Sequence, residues 1–492
     1  MTNYHSIGDV ESGRRADFIK PWFRSLLKAL TLIVCIGLLF GFIFVSFPVN
    51  KVIDDIIDND SGLIVAKHVL KEGGSAVDAV IATQICVGTI NAFSAGIGGG
   101  GLMMIRLPNG TAEFIDCREI APKSSRPDMY KKNHTWSAIE INAQGGNITF
   151  EDFVDYRPIV REPVIGYYHG RKIIAPPEPT SGPALIFMLN LLEGYNMSQN
   201  GLNGINLQRI VETIKFGFAR RTEMADPAFF ENQKEHNDRV KEIMSKEFAA
   251  RVRHNVSETR TYNPNYYDPI FDFGEDHGTT HMSSIDVNNM AVSFTSTVNQ
   301  IWGARVLDSN TGIILNNEMN DFAVPGEPNI FGLWPSPYNF VVSDLGLSII
   351  QPFGTQPYTN LTPGKRPLSS TVPSIVENED GELELVLGGS GGTRILTAVL
   401  QVLTNVYDFD MDVLSAVNSP RVHQQLLPNV LEMESGFDYE LINDLLNIGH
   451  VIQLHNVYDR RYSCQVQIVR KFKNGTIHAA SDYRKNGLAA GY

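Results

Sequence analysis

Residues 276–286 read DHGTTHMSSID, and two chemistries could use these residue types. His277 and His281 stand four apart, the helical spacing of a metal pair. Gly278 and two β-branched threonines between them disfavour a helix, however, and no HExxH glutamate accompanies them. The other chemistry follows if backbone cleavage makes Thr279 a new N-terminus. Such a threonine carries nucleophile and base together, because its hydroxyl attacks while its own α-amino group accepts the proton. An α-amine titrates near 7.7–8.0, so a useful fraction is neutral at physiological pH. Taken alone, TTH also reads as the start of a strand.

Other polar positions have similarly divided readings. Gly391 and Gly392 in GGSGGT end a strand and open a helix over 393–408, where bare N–H groups suit an oxyanion. The same six residues fail the GxGxxG dinucleotide pattern. The GGGG at 98–101 runs into a strand and lacks GK[ST], so close backbone packing is the expectation there. Glu318 and Asp321 are three apart, too close in sequence to flank a sugar bond in the usual way. Arg118, Thr297 and the Ser369-Ser370 pair read by themselves as an ordinary arginine, a strand threonine and a turn.

The elements that must position these residues follow from periodicity. Residues 62–92 have helical apolar spacing broken at Gly73-Gly74, hence two helices. LMMIRL and AEFIDCRE after the glycines predict strands, 205–224 an amphipathic helix and 234–253 a charged helical stretch. From His254 to Gly278 the chain is polar and turn-rich, a long loop of the kind that is usually functional. Strands are expected at 290–298, 383–387 and 464–472, and helices at 393–408, 410–417 and 438–447. The order predicts layered α/β packing, two sheets covered by helices on both outer sides. Residues 341–364 read as a surface loop.

The 492 residues carry 41 Lys+Arg against 54 Asp+Glu, a net charge of −13 that leaves no electrostatic footprint for nucleic acid. Four cysteines cannot form a disulfide scaffold. With Cys35 in an apolar run, Cys86, Cys117 and Cys464 remain, an odd number with no obvious pairing. That run, residues 29–50, has no charge and would span about 33 Å as a helix, enough to cross a bilayer. Arg14, Arg15, Lys20, Arg24 and Lys28 precede it and Asp54, Asp55, Asp58 and Asp60 follow, so the N-terminus is expected in the cytosol and the remainder outside it. Eight N-x-S/T sequons, at Asn59, Asn109, Asn133, Asn147, Asn196, Asn255, Asn360 and Asn474, all lie beyond the anchor and fit a type II glycoprotein.

Taken together the motifs resemble the γ-glutamyltransferase family of N-terminal-nucleophile hydrolases. They are GGSAVDA (73–79), GGGGLMMI (98–105), CRE around Arg118, PPEPTSG (176–182), GTTHMS (278–283), TSTVN (295–299), GIILNNEMNDF (312–322), GKRPLSS (364–370), GGSGGT (388–393), SPRVHQQLLPN (419–429) and the closing ASDYRKNGLAAGY. They cover nearly everything after residue 62, in order.

The resemblance implies a four-layer αββα sandwich behind one transmembrane helix. It divides the chain into a cytosolic tail (1–28), a signal anchor (29–50), a large-subunit part (51–278) and a small-subunit part (279–492), with autocleavage at Gly278–Thr279 leaving the two chains as a heterodimer. It implies Thr279 as nucleophile, Thr297 as the residue that positions it, and Gly391 and Gly392 at the oxyanion. Arg118, with Ser369 and Ser370, would take the α-carboxylate of a γ-glutamyl group; Asn299, Glu318 and Asp321 would take its ammonium. The implied activity is cleavage of the γ-glutamyl bond of glutathione and related compounds, with transfer to water or to amino acid and dipeptide acceptors. No cofactor or metal is implied. An acylase of related fold and a non-catalytic membrane glycoprotein are the competing readings. The stretch 341–363 is longer than in many relatives and leaves acceptor access open, and the type II anchor fits vacuolar, lysosomal and plasma membranes alike.

Overall fold

The strand and helix signals resolve into two stacked sheets with helices on their outer faces in the computed structural model, which describes residues 61–123, 125, 150–272, 279–308, 311–322, 335–336, 364–459, 462–485 and 487–491. The apolar run 29–50, Gly278 and the segment 341–363 lie outside these residues. Among the described residues no helix is long and apolar enough to cross a membrane.

Helices α1 (Ser61–Lys71) and α2 (Ala76–Ile90) form the expected pair, divided at Gly73, whose φ of +90° suits a residue without Cβ. Ser75 caps α2 in a reciprocal box with Asp78. Strands β1 (Gly100–Arg106) and β2 (Ala112–Cys117) follow, then α3 (Phe150–Asp155), β3 (Ile159–Arg161), β4 (Val164–Tyr168) and β5 (Arg171–Ala175). Next come α4 (Gly182–Glu193) and α5 (Gly204–Arg221). The charged stretch at 234–253 is two helices, α6 (Gln233–Ile243) and α7 (Lys246–Arg253), because Ser245 starts a new helix by capping Phe248. Beyond the polar loop lie β6 (Thr280–Ile285), β7 (Ala291–Thr297), β8 (Ser374–Glu377) and β9 (Leu383–Ser390), then α8 (Arg394–Tyr407) and α9 (Val413–Asn418). The chain closes with β10 (Val422–His423), β11 (Leu431–Glu434), α10 (Tyr439–Ile448), β12 (Ile452–His455), β13 (Gln465–Lys471) and β14 (Ile477–Ser481).

The first sheet has the order β3-β2-β1-β7-β6 and the second β14-β13-β9-β8-β5-β4, with antiparallel neighbours throughout. A third, small sheet joins β10, β11 and β12. Strands β6 and β7 face β9 across the stack. Alternation of side chains sorts the layers. Leu102 and Met104 of β1 point inward, to Ile174, Ile375 and Val386 of the second sheet. Ile105, Met282, Val292 and Phe294 point outward, to Ala76 and Val80 of α2. The other face of the second sheet is covered by α4, α8 and α9, with α5 packed on α4, and the buried apolar residues of these helices form the largest core. Helix α4 is apolar almost all round and buried through eleven of its twelve residues, which is why no helical period marks it in the sequence.

Candidate active site

The sheet sets both the place of Thr279 and the face it shares. Thr280 pairs with Ser296, Ser296 with Gly101, and Gly101 with Cys117. The next residue outward on each strand therefore falls in one row at the sheet's edge: Thr279, Thr297, Gly100, Arg118. Three strand spacings put the ends of that row about 14 Å apart. Period two then decides direction. Ser293 and Thr295 of β7 and His281 and Ser283 of β6 face the second sheet, through Ser293 to Leu387 O at 2.7 Å and Ser283 to Gln467 O at 3.3 Å. Thr297 and Thr279 share that face.

The second sheet ends there too. Strand β9 stops at Ser390, and the Gly391 N–H donates to Thr279 Oγ1 at 3.0 Å. Gly391 and Gly392 have φ of +139° and +62°, and a Cβ on Gly391 would stand 2.8 Å from the Cα of Cys464. Only glycine fits this turn. The β9–α8 turn thus aims a backbone donor at the threonine hydroxyl, with α8 starting behind it.

The other end of the row is ionic. Arg118, 2% exposed, binds Asp321 through Nη2 at 2.7 Å and pairs with Glu318 through Nη1. Its Nε and Nη2 also donate to the carbonyls of Pro367 and Leu368, at 3.2 and 3.4 Å. Asn299 Nδ2 donates to Asp321 Oδ1 at 2.9 Å, and the Asn299 backbone N–H donates to Thr297 Oγ1 at 2.7 Å. Asn299 thus couples the acid to Thr297, the threonine beside Thr279 in the row, and it does so at a φ of +70°, a strained setting that points to a functional constraint. Ser369 and Ser370 are fully buried on the adjoining segment. Their hydroxyls engage Thr371 at 3.1 Å and Arg221 at 2.9 Å, while Arg118 donates to carbonyls of the same segment. The glycines at 98–101 close the row by contact: a Cβ on Gly99 would stand 1.9 Å from Thr297 O, and one on Gly98 2.0 Å from Ile314 O.

Three further residues stand at the site without having been singled out in the sequence. Arg221 of α5 bridges Ser181 Oγ at 2.8 Å and Ser370. The Glu119 carboxyl oxygens are shut away from solvent against Gly100. Burial pushes that carboxyl up to about 7 although Arg118 beside it pulls down. Lys485 Nζ donates to the Thr279 carbonyl and to Thr280 Oγ1, both at 2.8 Å. Such neighbours are tens to hundreds of residues from Thr279, and only the CRE and SDYRK segments hinted at two of them. His281 is not poised for metal: its ring bonds Thr295 and Ser283 between the sheets, and burial pushes it down to about 3.

The family model described as gamma-glutamyltranspeptidase matches residues 64–141, 137–344 and 346–492. The chain belongs to this family. It is 34% identical to glutathione hydrolase proenzyme 1 of Schizosaccharomyces pombe, over 86% of this chain and 82% of that one. It is 27% identical to the glutathione hydrolase proenzyme of Escherichia coli strain K12, over 87% and 90%. The crystal structure of a cephalosporin acylase from Bacillus halodurans superposes with a TM-score of 0.69 at 16% identity, covering 88% of this chain and 94% of that one, a likeness of fold. The row from Thr279 to Arg118 has a hydroxyl with a backbone donor at one end and a buried, charge-paired cluster at the other.

Proposed function

We propose that the protein is a γ-glutamyltransferase and glutathione hydrolase that matures by cleaving its own Gly278–Thr279 bond. The observation that carries this reading is the row itself. A hydroxyl with a backbone donor at 3.0 Å stands at one end of the row, and a buried arginine with two carboxylates and an asparagine stands at the other. A γ-glutamyl head is a zwitterion. Its carboxylate can take Arg118 and its ammonium Glu318, Asp321 and Asn299, exchanging internal ion pairs for equivalent ones so that no charge is buried alone. The γ-carbonyl then lies toward Thr279.

Thr279 Oγ1 attacks that carbonyl while its α-amine takes the hydroxyl proton. The oxyanion of the tetrahedral intermediate is held by the N–H groups of Gly391 and Gly392. The C–N bond breaks, the leaving amine, cysteinylglycine from glutathione, takes the proton, and a threonine ester remains. Water or the amine of an amino acid or dipeptide resolves the ester. None of these steps calls for a cofactor.

We read the chain further as a single-pass type II membrane protein whose catalytic part is lumenal or extracellular, on a vacuolar, lysosomal or plasma membrane. The charge asymmetry about residues 29–50 supports this, as do the sequon asparagines 109, 196, 255 and 474, which are all exposed.

One assay tests the activity. Release of an aromatic amine from its γ-glutamyl amide is followed with and without a dipeptide acceptor, alongside denaturing gels. Wild type should run as two chains and turn over, faster with acceptor. Thr279→Ala should run as one chain with no turnover. Activity in a wild type that remains a single denatured chain would sink the N-terminal-threonine mechanism.

A further inference from the structure

The C-terminal turn Tyr483–Lys485 reaches the nucleophile from outside both sheets. Its anchorage is unusual. Arg484, fully buried in its side chain, binds Asp482 at 3.0 Å and Glu434 at 2.8 Å. Asp482 also accepts from Val466 N at 3.0 Å and pairs with Arg421, while Glu434 accepts from Arg421 N at 2.8 Å. This network fixes the turn to β11, β13 and the end of α9, so that Lys485 Nζ meets Thr279 O and Thr280 Oγ1.

We propose that Lys485 is a positioning residue for the nucleophile: its ammonium holds the Thr279 carbonyl and, in the processed chain, faces the α-amine and keeps it in the free-base form. The proposal rests on reading Thr279 as the matured N-terminus. Within one residue the amide nitrogen and carbonyl oxygen are at most about 3.6 Å apart, which bounds Nζ to the α-nitrogen at about 6.5 Å. A cation at that range disfavours protonation of the amine, by about one pH unit at a partly exposed site.

The other charges around Thr279 act less directly. On β6, His281 is buried and neutral. Strand β7 presents hydroxyls, Thr295 and Thr297. Behind Gly391, burial pushes the Cys464 thiol up to about 12. Arg118 is offset by Glu318 and Asp321, with Glu119 between them and Thr297, and Arg484 is offset by Asp482 beside Tyr483.

The test is the pH profile of kcat/KM for processed wild type, Lys485→Gln and Lys485→Arg, with the N-terminus of the smaller chain sequenced in each. Losing the charge should move the acid limb of Lys485→Gln up by about one unit, a loss of about tenfold at pH 6 that fades above pH 9. Lys485→Arg should keep the wild-type limb. A Gln variant with the wild-type profile, or one slowed equally at every pH, overturns the proposal, as does an Arg variant that titrates like Gln. If Lys485→Gln stays whole while Lys485→Arg processes and works, the positioning role stands; if Lys485→Arg also stays whole, it falls. Wild-type activity from a chain not beginning at Thr279 would refute the threonine reading itself, whatever Lys485 does.

Discussion

Arg118 is held by two carboxylates, and substrate discrimination follows from that pairing. Asp321→Ala removes one partner of a buried arginine and one of the acids offered to the ammonium. Truncating such a pair typically costs about 2–5 kcal/mol, roughly 30-fold or more in kcat/KM. Processing at Thr279, which does not use these charges, should continue. A glutaryl amide keeps the chain and one carboxylate but lacks the ammonium, so wild type should hydrolyse it poorly, and the gap between the two substrates should narrow in Asp321→Ala. Equal rates on both amides in wild type would instead favour the acylase reading. At this scale the sequence shows residue types well and contacts poorly. Thr279, Gly391, Arg118 and Asp321 stand out through their motifs, yet Thr279 meets Gly391 across 112 positions of chain. Glu119 lies within the CRE segment, but its burial is not legible there, since it comes from what Gly100 lacks.

Elements carry the site by register, and their legibility depended on period. Amphipathic α5 and α8 and strands β1, β2 and β7 of the first sheet stand close to where the sequence predicts them. Helix α4 escaped because it has no polar face, and β3, β4 and β5 because each is only three to five residues long. The most consequential element is the C-terminal turn, whose buried charges compensate one another. Glu434→Ala would leave Arg484 one carboxylate, Asp482, beside the carbonyls of Val417 and Ser419. Breaking a buried pair in this way costs about 3–5 kcal/mol, so urea denaturation should show a loss of that order. Activity should fall further than stability explains, since the turn also delivers Lys485. A midpoint unchanged from wild type would mean that the network is not structural.

The whole molecule should record its buried histidines as acid sensitivity. Burial pushes His281, His423 and His450 each down to about 3. The unfolded chain takes these protons near pH 6.5 and the folded chain does not, so their stability is full above 6.5 and is lost as pH falls toward 3. The raised carboxyls of Glu119, Glu178 and Glu212 act in the opposite sense, so total stability mixes the two. A single variant separates them. The stability of His450→Gln relative to wild type should improve by about 1 kcal/mol between pH 6.5 and 5.5, read from paired denaturation curves. A difference that stays constant across that window would show that His450 takes up its proton as readily in the fold as in the unfolded chain.

Both sheets are woven from both sides of the proposed cut. In the first, β3-β2-β1 come from before Thr279 and β7-β6 from after it; in the second, β5-β4 come from before and β14-β13-β9-β8 from after. Each fragment on its own would own two half-sheets with bare edges. The pair is therefore indivisible in inheritance as well as in space: stoichiometry is set at one to one when the chain is made, neither half can be traded for a cousin's without rewriting the seam in the other, and an allele that damages one fragment cannot be rescued by making more of its mate.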